Sequence, residues 1–237
     1  AGLHSFWPTL KNKVPIGIRE AGRFSFRNLV QMKNIRPAFC FCLVLISLQA
    51  AAQHRKYTWP EIRWGIFHPV ATIKLNRITK SCDSIYRRVL KENTFIADYN
   101  NGGRQDAYRH VFYMAAFAQK IAPRKVRRLG ELHEKGNYLM YKRSMLEDGE
   151  LADSLSNQMD LKNNECGINL AASGKSVSLT ELSYKAVRLI EEGKAFIMKR
   201  NKDGNYLDCS GNLVVLTKQK KWSIPKCLVP SNTAYIN

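Results

Sequence analysis

The chain has 237 residues and sets 38 Lys and Arg against 19 Asp and Glu, a formal net charge of +19. That balance suits an acidic partner, such as phospholipid headgroups, cell-wall polymers or nucleic acid, and says nothing about the fold. It contains no internal repeat and no low-complexity block, so repeat arrays and compositionally biased tracts are excluded.

The sequence opens on Ala1, and its first methionine is Met32. Lys33 and Arg36, the apolar run 38–48 and the small residues up to Ala52 follow in the order of a secretory signal peptide. Its apolar run is shorter than the roughly 20 residues of a membrane span. The expectation is an upstream leader at 1–31 outside the fold and a signal at 32–52. The exported product then begins at 53 and has no transmembrane helix, in a periplasmic or secreted setting. A buried core helix or an uncleaved anchor is the alternative for the same run. The remainder, 53–237, keeps 31 basic and 18 acidic residues and stays strongly basic. Four cysteines lie in it: Cys82, Cys166, Cys209 and Cys227. Without a CxxC spacing they fit disulfides better than a zinc finger, and Cys209 with Cys227 is the preferred pair.

Residues 53–99 read as a lead-in, with Pro60 and Pro69 disfavouring helix just before them. It ends in a helix from about Val70 to Leu90, striped by Ile73, Ile78, Ile85 and Val89. The turn cluster 98–103 precedes the most informative stretch, 106–118. That helix is apolar almost all the way round, which places it inside a domain, yet it carries Asp106, Arg109 and His110. Buried charges must be paired or neutralised, so partners have to come from other segments. Pro123 ends that helix or starts the next, and Arg124, Lys125, Arg127 and Arg128 form the densest basic cluster. A second helix spans about Lys125 to Arg143, and a third about Glu150 to Cys166, closed by Gly167 as a C-cap. Ser178 and Glu181 open a fourth, with Leu182, Ala186, Leu189 and Ile190 on its apolar face and Gly193 at its end. Short strands at 195–198, 206–207 and 213–216, turning at Asp203-Gly204, give way to a loose basic tail, 218–237. The expected fold is mainly α, a single helical domain with a small C-terminal β-hairpin appendage. Its core motifs fall in 100–170, and a helix and hairpin in 171–217.

Asp106 and His110 are four apart and share one face, which Tyr113 and Phe117 continue. His133 falls on the side of Leu129, Gly136 and Met140, and Glu134 adjoins it. Asp153, Asn157, Asp160 and Asn164 make one narrow polar strip, which alone would read as a solvated helix face. Three chemistries fit. His110 or His133 acts as a general base, oriented by Asp106 or Asp160, with Arg109 neutralising an anion. Or both histidines and a carboxylate hold a divalent metal, although no HExxH is present and no metal is favoured. Or the set is a buried network that fixes helix packing. No GxSxG, GxGxxG or P-loop occurs.

The series Asn101-Gly-Gly-Arg-Gln-Asp106-Ala-Tyr-Arg-His110, then His133-Glu134, then Met159-Asp-Leu-Lys-Asn-Asn164 and Gly167, resembles a bacterial domain family of unknown function. Its members read as a glycine turn, Asp-Ala-x-Arg-His, a His-Glu pair and Met-Asp-Leu-His-Asn-Asn before Gly. They occur in exported proteins and toxin-like chains, so the resemblance implies an extracytoplasmic hydrolytic role. It carries over Asp106, Arg109, His110, His133, Glu134, Asp160, Asn163 and Asn164 as site residues. Lys162 stands where many members have a histidine, which removes a metal ligand or proton carrier. The reading is a hydrolase acting on an anionic envelope substrate, a phospholipid or cell-wall precursor. There His110 or His133 is the base, Asp106 and Asp160 orient it, Arg109 clamps the anion and Asn164 is a hydrogen-bond donor. A non-catalytic binding or structural module is the alternative. A cytosolic nucleic-acid binder ranks behind both, because the signal-like segment argues against it.

Overall fold

A computed structural model describes residues 57–146, 150–172, 176–216 and 221–235. The expected leader and signal peptide lie outside these residues. The described residues hold six helices and one small sheet: α1 (Trp59–Phe67), α2 (Pro69–Glu92), α3 (Arg104–Ala118), α4 (Pro123–Lys142), α5 (Ser154–Ala172), α6 (Leu179–Glu191), β1 (Phe196–Met198) and β2 (Leu228–Pro230). The fold is mainly α, and no described helix is long and apolar enough to cross a membrane.

α3 is the axis of the domain. Ala107, Tyr108 and every residue from Val111 to Phe117 are buried, as its all-round apolar character requires. α5, α6, α2, β1 and α4 all pack against it. Buried polar groups on α3 are met from these neighbours. Tyr108 Oη lies 2.6 Å from Ser183 Oγ of α6, and the Tyr113 hydroxyl donates to Asp83 Oδ1 of α2 at 2.5 Å. Among the remaining helices α6 has the clearest apolar face, with Leu182, Ala186, Val187 and Ile190 buried.

Several boundaries differ from expectation for identifiable reasons. The prolines of the lead-in do not prevent a helix there. Pro60 sits in the first turn of α1 and Pro69 in that of α2, where the missing N–H costs nothing. Pro123 likewise starts α4. α5 begins at Ser154, not Glu150, because the Asp153 carboxylate accepts the N–H groups of Leu155 and Ser156 at 2.9 and 3.1 Å. Gly167 does not end α5, which runs on to Ala172. It lies inside the helix where α5 crosses α3, and a Cβ there would stand 2.3 Å from the Val111 carbonyl oxygen.

The β appendage is present, but β1 pairs with the tail. Ile197 lies opposite Val229 in an antiparallel ladder with β2. The 206–207 and 213–216 segments contribute only the isolated bridges Arg200–Tyr206 and Leu207–Leu213. The tail is therefore anchored rather than loose. The Cys209–Cys227 disulfide ties it to the preceding loop, and buried Arg104 donates to the carbonyls of Ser231 and Thr233 at 2.9 and 2.8 Å. Lys226, also buried, pairs with Asp153 at 2.8 Å.

Candidate functional site

The turn before α3 prepares its first polar residue. Gly102 has φ of +70°, a conformation open to glycine, and its N–H donates to Asp106 Oδ2 at 2.7 Å. The other Asp106 oxygen receives Arg109 Nη2 at 2.7 Å. One helical turn on, His110 enters the same cluster, and its Nε2 lies 3.5 Å from Asp106 Oδ1. α5 crosses at this level, and Asp160 brings Oδ1 to 3.3 Å of the same Nε2. On the far side of the ring, His110 Nδ1 is 2.9 Å from Asn164 Oδ1. Asp160 and Asn164 are four apart, so both project from one face of α5 and grip the imidazole at its two nitrogens.

Close approach of the helices makes this grip possible. Gly167 lets α5 lie against the α3 backbone, and Gly130 of α4 leaves room for Asn164, whose Nδ2 would stand 2.9 Å from a Cβ there. His110 is 1% exposed, and burial pushes its pKa down to about 4, against the attraction of Asp106. The imidazole is then neutral at pH 7. With Nδ1–H donated to Asn164 Oδ1, the basic Nε2 faces both carboxylates. Asp106, His110 and Asp160 can each offer one ligand atom, all within 4.8 Å of one another. They are the described residues suited to hold a divalent cation. Asn164 is then the outer partner that fixes the ligand tautomer.

Of the eight sequence-derived residues, the structure brings together five: Asp106, Arg109, His110, Asp160 and Asn164. Asn164 serves His110 through its carbonyl oxygen, not as the expected donor. The polar strip on α5 is not a solvated face, since Asp153 and Asn164 are buried. Asn163 points elsewhere. Its amide bonds the backbone N–H and C=O of Phe196, both at 2.9 Å, and so docks β1 on α5. His133 is half-buried, and its Nδ1 lies 2.8 Å from Glu61 Oε1. Glu134 is buried and accepts from Asn137 Nδ2 at 3.1 Å.

Glu61 is the residue that sequence reasoning missed. Burial raises its pKa, but His133 and the bonds from Thr58 outweigh this and leave it below the ordinary value. The Thr58-x-x-Glu61 spacing signals a helix start. Nothing in it signals a histidine 72 residues away.

A family model described as a domain of unknown function (DUF6973) matches residues 62–194. The matched segment is wider than the motif-bearing stretch 100–170, and it contains all eight residues discussed above. No curated protein and no solved structure matches the chain. The family match spans more than half of the 237 residues, and the chain therefore belongs to the DUF6973 family, a family without an assigned function.

Proposed function

We propose that the chain is a hydrolase of an anionic envelope substrate, a phospholipid or cell-wall precursor, working through the α3–α5 cluster. The carrying observation is that His110 Nε2 stands within 3.3 and 3.5 Å of carboxylates from two different helices. A neutral imidazole oriented through Nδ1 is a base at Nε2, and general-base help is worth about 10²–10⁴ in rate. In this reading the ring is held through Nδ1 by Asn164, Nε2 takes the proton of an attacking water, Asp106 and Asp160 stabilise the imidazolium that forms, and that proton then passes to the leaving group. Arg109, held on Asp106, supplies positive charge to the developing anion. His133 with Glu61 forms a second, separate pair and is not assigned a step. The Cys209–Cys227 disulfide is compatible with an exported, oxidising setting.

One observation favours a second reading, a non-catalytic module with a buried polar network: only 1% of His110 is exposed. The two separate experimentally. The full chain, His110→Gln and Asp160→Asn are assayed for hydrolysis of phospholipids and lipid-linked cell-wall precursors, and their melting is followed. Wild-type turnover that falls at least about a hundredfold in both variants, with melting retained, supports the enzyme. Absence of wild-type turnover on these substrates, with both variants markedly less stable, leaves only the network.

A further inference from the structure

The α1–α2 corner carries the largest run of exposed apolar side chains among the described helices. Ile66 is 65%, Phe67 70%, Val70 67% and Ile73 53% exposed. Trp59, Arg63, Ile66 and Phe67 are spaced so that they share one face of α1. All four are exposed, and Arg63 lies over the Phe67 ring at 6.0 Å. Isolated surface apolar residues need no explanation, whereas a cluster of bulky ones marks a binding surface.

What surrounds the cluster is predominantly basic. Below Val70 and Ile73, the solvent face of α2 presents Lys74, Arg77, Lys80, Arg87, Arg88 and Lys91. Glu61 and Asp83 are buried, and the one exposed carboxylate of α1 and α2 is Glu92 at the far end of α2, 4.0 Å from Arg88 and about five turns from Ile73. Val70 also borders a recess of about 170 Å³ whose other walls are Ala71, Lys74, Lys120, Ile121, Ala122 and Lys125. Three lysines and no acid line it. Lys74 Nζ bonds the Lys120 carbonyl at 3.4 Å and Lys120 Nζ the Ser176 hydroxyl at 3.2 Å, so neither charge is neutralised by these contacts.

We propose that this corner is a membrane-docking surface. Ile66, Phe67, Val70 and Ile73 enter the headgroup layer of an anionic phospholipid bilayer, and the Lys74–Lys120–Lys125 recess takes a lipid phosphate. Apolar side chains beside a basic face are the pattern by which surface helices lie in a bilayer interface. A nucleic acid would use the basic stripe and leave the apolar corner in water, which is why the bilayer is the better-matched occupant. The inference does not rest on the hydrolase reading, because it concerns a surface away from the α3–α5 cluster's own residues and predicts binding rather than turnover.

The test uses the full chain with vesicles of phosphatidylcholine alone or mixed with phosphatidylglycerol, followed by sedimentation at low and high salt. A labelled DNA oligonucleotide is run in parallel. Wild type, Lys74→Gln with Lys125→Gln, and Phe67→Ser with Val70→Ser are compared, each checked for unchanged melting. The apolar run at 38–48 is common to all three proteins, so it contributes the same background. The expected result is salt-sensitive partitioning onto the anionic vesicles. It should weaken about 25-fold in the lysine variant, at about fivefold per charge near an anionic surface, and about tenfold in the apolar variant. Partitioning equal in all three proteins overturns the proposal and assigns any binding to the 38–48 run. So does oligonucleotide binding without vesicle binding. If the apolar pair disturbs melting, Ile66→Ser, at a side chain 65% exposed on α1, replaces it with the same expected direction.

Discussion

Substituting Gly167→Ala tests whether contact of α3 with α5 builds the candidate site. In a helix interior, alanine is favoured over glycine by roughly 1 kcal/mol, so propensity alone predicts a more stable protein. The structure predicts the opposite. The new Cβ would stand 2.3 Å from the Val111 carbonyl oxygen and 3.0 Å from Met114 Cβ. A carbon and a carbonyl oxygen rest at about 3.3 Å or more, so the helices must part by about 1 Å, and the obstruction is backbone that cannot rotate away. The same displacement would stretch the 2.9 Å His110–Asn164 bond to about 3.9 Å, beyond hydrogen-bond range. Overpacking costs about 1–3 kcal/mol, and a broken buried hydrogen bond about 1–3 more. After the propensity gain, a net loss of about 1–5 kcal/mol remains, or about 2–20 °C in melting temperature for a domain of this size. Urea unfolding measures the loss, and the imidazole NMR signals of His110 report the broken bond. A variant that unfolds at the same or a higher urea concentration, with those signals unchanged, would refute the argument.

Three further outcomes are expected of the same fold. Burial pushes the His110 imidazole down to about 4 in the folded chain, against about 6.5 for an exposed histidine. Below pH 6.5 the unfolded state therefore takes up a proton that the folded state refuses. Relative to His110→Gln, wild type should lose about 3 kcal/mol between pH 6.5 and 4 and little more below, and a flat difference across that window rejects a buried neutral imidazole. Asp153→Asn keeps the α5 cap but leaves Lys226 buried opposite a neutral group. It should cost about 3–5 kcal/mol in urea unfolding, with much of the loss recovered when Lys226→Met is added; no recovery would show that the charge pair is not the cause. Replacing Cys209 and Cys227 by serine reopens a loop with an 18-residue separation. About 3 kcal/mol should be lost by chain entropy, reduction of wild type should reproduce the change, and an unchanged melting curve under reducing conditions would contradict it.

The sequence by itself determined the helical class and the central place of α3, whereas it only preferred Cys209 with Cys227 among four cysteines and the fold settled that pair. A helix with no polar face can lie only inside a domain, and periodicity over 15 residues is a local property. The same logic pointed to Asp106, Arg109 and His110, with Asp160 and His133 as candidate partners, because charges on such a helix need partners from elsewhere; Asn164 came with the family resemblance, and His133 pairs with Glu61 instead. Local pattern could not say which partner each would find. Glu61 and His133 are 72 residues apart, and Lys226 and Asp153 are 73 apart. Both pairs exist only once α1 meets α4 and the tail folds back. Gly167 carries the same lesson. Near the end of an amphipathic run, a glycine reads as a C-cap, and only the α3 backbone beside it makes it a contact glycine. β1 chose β2 over the nearer 206–216 segments, since the disulfide and the Arg104 bonds hold the tail alongside. Secondary structure follows from neighbours along the chain, whereas strand pairing and the assembly of an ionisable cluster depend on which distant surfaces pack together.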